Sequence, residues 1–346
     1  MIARDTTGHG APVKKVAGRL LGSKYRLVRE MAHGNVGSIW CAEHVLLRMP
    51  VAVKFLQSGE DSWDGASPAA RSLAMKRFLS EARIAAVARS PHVVQVFDYG
   101  VDHGTPYLVM ELLQGQSLAG KLRRSGPCSP DETSRVLVQV AEALERMHGL
   151  GIVHRDLKPE NIFLVEGDEL LAKILDFGVA RVDDRALLST LTPGTRTGDL
   201  LGTPNYMSPE QLQDHPGLDR RSDVWALGVI AFECLLGRLP FVAQHMAGMI
   251  LAICSRPLPV PSLISAVPRG FDTWFARACA RDLERRFPTA KSAAGALQAL
   301  CQPRSAEAAR ANLEAPVPHA TPAPVPSGLK RFWAVCFRDR PGSPEA

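Results

Sequence analysis

No run in this 346-residue chain approaches the roughly 18 consecutive apolar residues that a membrane-crossing helix needs. The longest apolar helical run, Val224 to Leu236, is interrupted by Glu233. Met1 to Leu21 lack the apolar core, about 7–15 residues long, of a secretory signal. Cysteine is sparse and scattered: seven residues, at 41, 128, 234, 254, 279, 301 and 336. No two have C-x-x-C spacing and their number is odd, which argues against a cysteine metal cluster or a disulfide framework. Free thiols, mostly in the core, in a reducing compartment are the simple reading. No internal repeat is found. The basic excess is mild, with a net charge of +6 and a pI near 9.0. Without a located basic patch it does not point to nucleic acid, and it suits a polyphosphate ligand equally well. The expectation is a cytoplasmic protein with no transmembrane segment and no nucleic-acid partner.

What is present is ordinary globular material: 46% hydrophobic and 22% charged residues. The length allows two domains, or one two-lobed unit with tails. Residues 1–23 read as a flexible basic leader. From there the pattern is mainly strand, with runs at Tyr25–Met31, Ser38–His44, Val51–Leu56, Val93–Tyr99 and Pro106–Glu111. One helix interrupts them, over Ser72–Arg89, with apolar residues at 73, 78, 79, 84 and 87. After Leu113 helices take over. Ser129 is a candidate N-cap, with Pro130 at the first helical position of a helix ending at Gly151. Further helices are expected over Val224–Leu236, Gln244–Ser255, Arg269–Ala280 and Thr289–Cys301. From Pro303 onward Ala and Pro dominate, a composition that buries no core and suits an extended tail.

The informative segments are short. His154-Arg155-Asp156-Leu157-Lys158-Pro159-Glu160-Asn161 lies between two β-prone runs, and Asp176-Phe177-Gly178 follows twenty residues after Asp156. Val51-Ala52-Val53-Lys54 lies upstream; Gly202-Thr203-Pro204 and Ser208-Pro209-Glu210 lie downstream. Each string alone is common. Five in the right order, with spacings that close one site, are not. Together they resemble the bacterial eukaryotic-like (Hanks-type) serine/threonine protein kinases, over about Tyr25 to Cys301.

The resemblance implies an α+β, two-lobed protein-kinase fold. A small antiparallel β lobe of five strands with one main helix would span 24–111. A larger, mostly helical lobe would span 112–302, and 303–346 would be the tail. It also implies ATP and Mg²⁺, with Mn²⁺ as an alternative, and protein substrates with Ser or Thr acceptors.

Phosphoryl transfer needs neutralised charge, in-line positioning and an acceptor for the hydroxyl proton. Asp156 fits the acceptor role. Asn161 and Asp176 supply oxygens of the kind Mg²⁺ prefers. Lys158 would meet the transferred phosphate, and Lys54 the α/β-phosphates. Glu81, 27 residues after Lys54, is the candidate that holds Lys54 in place. Over the phosphates the family carries G-x-G-x-x-G. Here the stretch is Ala32-His33-Gly34-Asn35-Val36-Gly37, with Ala32 in place of the first glycine. A methyl there is tolerated only where φ stays negative. Met110 would be the gatekeeper, Glu111 and Leu113 would present backbone groups to adenine, and Ala52 and Leu164 would wall the ring.

Other matches are supportive. Asp223 would hydrogen-bond the catalytic-loop backbone, and Glu210 would pair with Arg286. Thr203 would shape a shallow site for a short hydroxyl side chain. Thr195 and Thr197 are candidate sites of activating autophosphorylation, with Arg155 as the phosphate's partner and Arg181 as a second; a transient homodimer would serve that step. The rival reading is a nucleotide-binding pseudokinase or scaffold, for which Ala32 is the only observation. A small-molecule phosphotransferase should lack the Gly202-Thr203-Pro204 and Ser208-Pro209-Glu210 platform.

Overall fold

A computed structural model of the chain describes residues 16–34, 37–56, 88–103, 105–176, 204–213 and 218–302. The first sheet is antiparallel and has six strands: β1 (Leu20–Leu21), β2 (Tyr25–Gly34), β3 (Gly37–His44), β4 (Met49–Leu56), β5 (Val96–Asp102) and β6 (Thr105–Glu111), in the order β1-β2-β3-β4-β6-β5. Alternation along β4 separates its two jobs. Val51, Val53 and Phe55 join Leu21, Tyr25, Leu27, Trp40, Tyr107 and Val109 in one apolar cluster. Ala52 and Lys54, between them, take the opposite face, and Ala52 pairs with Met110 across the ladder.

The sixth strand was not expected. β1 falls inside the stretch read as a leader, yet Leu21 is fully buried beneath the sheet. Beside it, Arg19 pairs with Asp102, and Lys24 and Tyr25 each reach Asp98 at 3.0 Å. These contacts join the two edges of the sheet, so residues 19–24 are part of the small lobe. Two residues carry no readable period, which is why the pattern hid them.

A second antiparallel sheet, β7 (Gly115–Ser117), β8 (Ile162–Val165) and β9 (Leu171–Ile174), opens the large lobe. Its helices are α1 (Leu118–Ser125), α2 (Pro130–His148), α3 (Pro209–Leu212), α4 (Arg221–Leu236), α5 (Met246–Cys254), α6 (Phe271–Ala278) and α7 (Ala290–Cys301). Ser129 caps α2 by accepting from the Glu132 N–H, with Pro130 following it. The helix stops at His148, two residues short of Leu150, the last residue before the expected stop at Gly151. α4 is apolar on nearly all sides and forms the centre of the lobe. It ends where Gly237 adopts φ 69°, and the Gly237 N–H donates to the Glu233 carbonyl.

α6 crosses α4 at Gly228. A Cβ there would sit 2.7 Å from Cys279 Sγ and 3.0 Å from the Ala278 Cβ. Gly228→Ala is therefore expected to destabilise the fold by about 1–2 kcal/mol. The overpacking cost outweighs alanine's better helix propensity. A thermal melt of the variant measures it.

The expected strand Val93–Tyr99 begins late, at Val96. Val93 and Val94 leave the small-lobe sheet and bury themselves against the large lobe. Val93 bridges Ile174 in parallel, the Val94 N–H donates to the Ile174 carbonyl, and the Ile174 N–H donates to the His92 carbonyl, both at 2.9 Å. Ala88, Val93, Val94, Ala52 and Met110 therefore share one apolar cluster with the α2 and α4 side chains. The helix expected over 72–89 lies almost wholly outside the described residues, as do the tail from 303 onward and the segment 177–203.

Candidate active site

The floor of the site is the loop between α2 and β8. Asp223, in the first turn of α4, holds its main chain: the N–H groups of His154 and Arg155 each donate to the Asp223 carboxylate at 2.9 Å. Nε2 of His148 meets the same carboxylate at 2.7 Å. Arg155 has φ 65°, an uncommon conformation for a side-chain-bearing residue, and it is held on both sides. Its carbonyl accepts from Gln211 Nε2 at 2.7 Å.

This backbone presents the side chains the motif predicts. Lys158 Nζ lies 2.8 Å from Asp156 Oδ2. Asn161, in a 3-10 turn over Pro159–Asn161, donates through Nδ2 to the Asp156 carbonyl at 2.8 Å. That bond uses the amide nitrogen and leaves the Asn161 oxygen as a donor atom for a cation. Lys54 and Asp176, 122 residues apart, meet at 2.6 Å. Desolvation works against the charged form of Asp176, but the Lys54 ammonium overcomes it, and Lys158 adds to the effect. The carboxyl is held below the usual carboxylate range and is ionised at neutral pH.

The roof is the β2–β3 hairpin. Gly34 pairs with Gly37, and Ala32 pairs with Ile39 in extended strand. Ala32 is absent from the residues with positive φ, while Gly37 has φ 144°. The methyl at position 32 therefore meets no backbone strain, and a glycine is needed at 37 instead. At the back, Ala52, Met110 and Leu164 are nearly buried and belong to one cluster that runs between the lobes. Leu113 packs on that cluster. The Glu111 N–H is committed to the Gln95 carbonyl at 2.9 Å, so a ligand would meet at most its carbonyl. The Glu111 side chain receives Lys173 Nζ at 2.6 Å and the Gln95 N–H at 2.8 Å.

On the side facing α4, Glu210 and Arg286 form a buried two-point pair at 2.6 and 3.1 Å. Desolvation opposes ionisation of Glu210, and the Arg286 guanidinium more than reverses it, so the carboxyl sits below its ordinary value.

The structure thus brings together Lys54, Asp156, Lys158, Asn161 and Asp176, with Ala52, Met110 and Leu164 behind them. Glu81, Thr195, Thr197 and Thr203 lie outside the described residues. Sequence reasoning missed His148, Lys173 and Gln211. Each acts through a partner 56 to 75 residues away, and no local string marks it.

A curled antiparallel sheet over a helical lobe, with a lysine–aspartate pair facing an aspartate–lysine–asparagine loop, is the arrangement of a protein kinase. The chain belongs to that family: the protein kinase domain profile matches residues 25–279. It is similar to the serine/threonine-protein kinase Pkn1 of Myxococcus xanthus, with 37% identity over 294 residues, 83% of this chain and 40% of that protein. It is also similar to PknH of Mycobacterium tuberculosis H37Rv (35% over 307 residues, 87% of this chain and 46% of that protein). PknA of Corynebacterium glutamicum shares 34% over 312 residues, 86% of this chain and 62% of that protein. The chain spans about half the length of the curated relatives it matches.

The family uses ATP and a divalent metal ion, and the donor set fits both. Asp176 is ionised and Asn161 keeps an oxygen free, the hard ligands that a hard cation takes. Among the described residues no group of three or more His, Cys, Asp or Glu could enclose a metal. An ion held by Asn161 and Asp176 would complete its shell with phosphate oxygens and water. Among the described residues no helix is long and apolar enough to cross a membrane.

Proposed function

We propose that the chain is a serine/threonine protein kinase that transfers the γ-phosphoryl group of ATP to Ser or Thr hydroxyls of other proteins. One observation carries this: the Asp156 carboxylate stands 2.8 Å from Lys158 Nζ, on a loop whose main chain is fixed by Asp223. A carboxylate so placed orients a hydroxyl and takes its proton, while the adjacent ammonium neutralises the incoming phosphoryl oxygens. Lys54 would contact the α/β-phosphates, with Glu81 holding it from the small lobe. Asn161 and Asp176 would hold Mg²⁺, or Mn²⁺, whose bound charge offsets that of the phosphates. Ala52, Met110 and Leu164 would wall the adenine, and Gly34 and Gly37 would cover its phosphates. Thr203 would shape the acceptor site.

The catalytic unit is assigned to 19–302, the expected 24–302 extended by the β1 segment, with the lobes meeting at 111/112. Thr195 and Thr197 are assigned as autophosphorylation sites, presented by a second copy of the chain and answered by Arg155. The cytoplasm is the assigned compartment, and nucleic acid is not a partner. The pseudokinase reading loses its one support, because Ala32 sits in unstrained strand.

The test is transfer from γ-labelled ATP to a generic protein acceptor, followed by phosphoamino-acid analysis. Label in phosphoserine and phosphothreonine, lost on chelation and restored by Mg²⁺, is the expected result. Nucleotide binding without transfer would reinstate the scaffold, and label in phosphotyrosine would refute the substrate class.

A further inference from the structure

Outside the cleft, two cysteines meet through their main chains where the link between α1 and α2 crosses the end of α4. The Cys128 N–H donates to the Cys234 carbonyl at 2.7 Å. A main-chain bond of that kind draws two Cα atoms toward the range a disulfide spans, about 4.4–6.8 Å. The segments are fixed against each other. Pro127, beside Cys128, lies so near Gly237 that a Cβ on the glycine would be 2.9 Å from its ring. Both cysteines are free and buried.

A cation completes the group. Lys121 Nζ lies 3.5 Å from Cys128 Sγ and is tethered by Glu132 at 2.9 Å. The neighbouring Cys234 thiol and then Lys121 hold the Cys128 thiol below its ordinary value against the effect of burial. Cys234, beside Cys128 and fully enclosed, is pushed well up. One sulfur is therefore prepared as the nucleophile and its neighbour is kept protonated.

We propose that Cys128 and Cys234 are a peroxide-responsive pair that closes to a disulfide, with Cys128 attacking and Cys234 resolving. The Cys128 thiolate attacks one oxygen of the hydroperoxide and the O–O bond breaks. Sulfur is oxidised to the sulfenic acid, and the departing hydroxide takes the thiol's proton to become water. The Cys234 thiol then displaces the sulfenic hydroxyl, giving the S–S bond and a second water. Two thiols lose two electrons and the peroxide gains them. The cross-link ties the start of α2 to α4 beside Glu233. That carboxylate accepts from the Tyr206 hydroxyl at 2.6 Å, so the restraint reaches the segment that follows residues 177–203.

The experiment is hydrogen peroxide titration of the reduced full chain, alkylation of the remaining thiols and peptide mapping. Cys254 is the internal reference, because it is more exposed but burial raises its thiol. A linked Cys128–Cys234 peptide should appear before Cys254 is modified and should vanish with dithiothreitol. Lys121→Met should slow its formation about threefold to tenfold while the Cys254 rate stays unchanged, which reports an intact fold. Oxidation of Cys254 first, with both partners still alkylated as thiols, would overturn the proposal. So would Cys128 running on to the sulfinic acid with Cys234 untouched.

Discussion

Asp156→Asn is expected to fold normally and to lose about 10²–10⁴-fold in phosphoryl transfer. An amide keeps the shape of the side chain and still offers Lys158 an oxygen, so the loop has no reason to move. It cannot take the proton of an attacking hydroxyl. ATP affinity should change little, since Lys54 and Asp176 pair on the other side of the cleft. The partly exposed Asp156–Lys158 pair contributes little to stability, so the melting temperature should stay within about 2 °C. Single-turnover transfer and nucleotide binding, measured on the same preparation, separate the two effects. Turnover near that of the parent chain would remove Asp156 from its assigned role.

Arg286→Ala should be the most damaging single change to the fold. Its side chain is fully buried. It pairs with Glu210, donates to the carbonyls of Ala280 and Arg221, and lies 5.3 Å from the centre of the Trp225 ring. Removing it leaves a buried carboxylate that keeps neutral donors such as the Ser222 hydroxyl but loses its cation. Breaking a buried pair in this way costs about 3–5 kcal/mol, or roughly 5–9 °C in Tm for a domain of this size.

The pH dependence gives a second readout. In the parent chain the Glu210 pKa is depressed. Its contribution is present above the unfolded carboxylate value and is lost as the pH falls through the lowered one. Without Arg286 the desolvation remains alone and raises that pKa, so protonation relieves the strain. The gap between variant and parent should therefore narrow from pH 7 to pH 5. Glu210→Gln placed on Arg286→Ala should recover part of the loss at neutral pH. A gap that is constant with pH would mean that lost packing, rather than the orphaned charge, dominates.

Much of the site could be read in advance because its chemistry sits in short strings. Asp156, Lys158 and Asn161 fall within one turn-bounded loop. Lys54 alternates with apolar neighbours that fix the face it points to. What the string could not carry is partnership across distance. The lone His148 reads as an ordinary helix end until Asp223, 75 residues on, is found against it. Lys173 reads as a solvated strand residue until Glu111 meets it. β1 is too short to show a period, and Val93 and Val94 have the composition of strand but serve the other lobe. Burial, not propensity, decided both. The glycine-to-alanine departure at position 32 resolves for a local reason: the residue is extended, and the loop's need for unusual φ falls on Gly37.

The seam formed by His92, Val93, Val94 and Ile174 determines how the cleft can breathe. Ile174 belongs to the large-lobe sheet but is bonded on both sides to the chain entering the small lobe, and the neighbouring Lys173 is tied to Glu111. Among the described residues, a rotation about this line would part the lobes while keeping these three bonds. Asp176 stands two residues beyond, at most about 7 Å of chain from the axle. The lever arm there is short, so Asp176 stays near Lys54 while the cleft gapes. The Gly34–Gly37 tip has a longer arm and sweeps much farther. Nucleotide would therefore enter and leave beneath the hairpin, past a carboxylate that hardly moves.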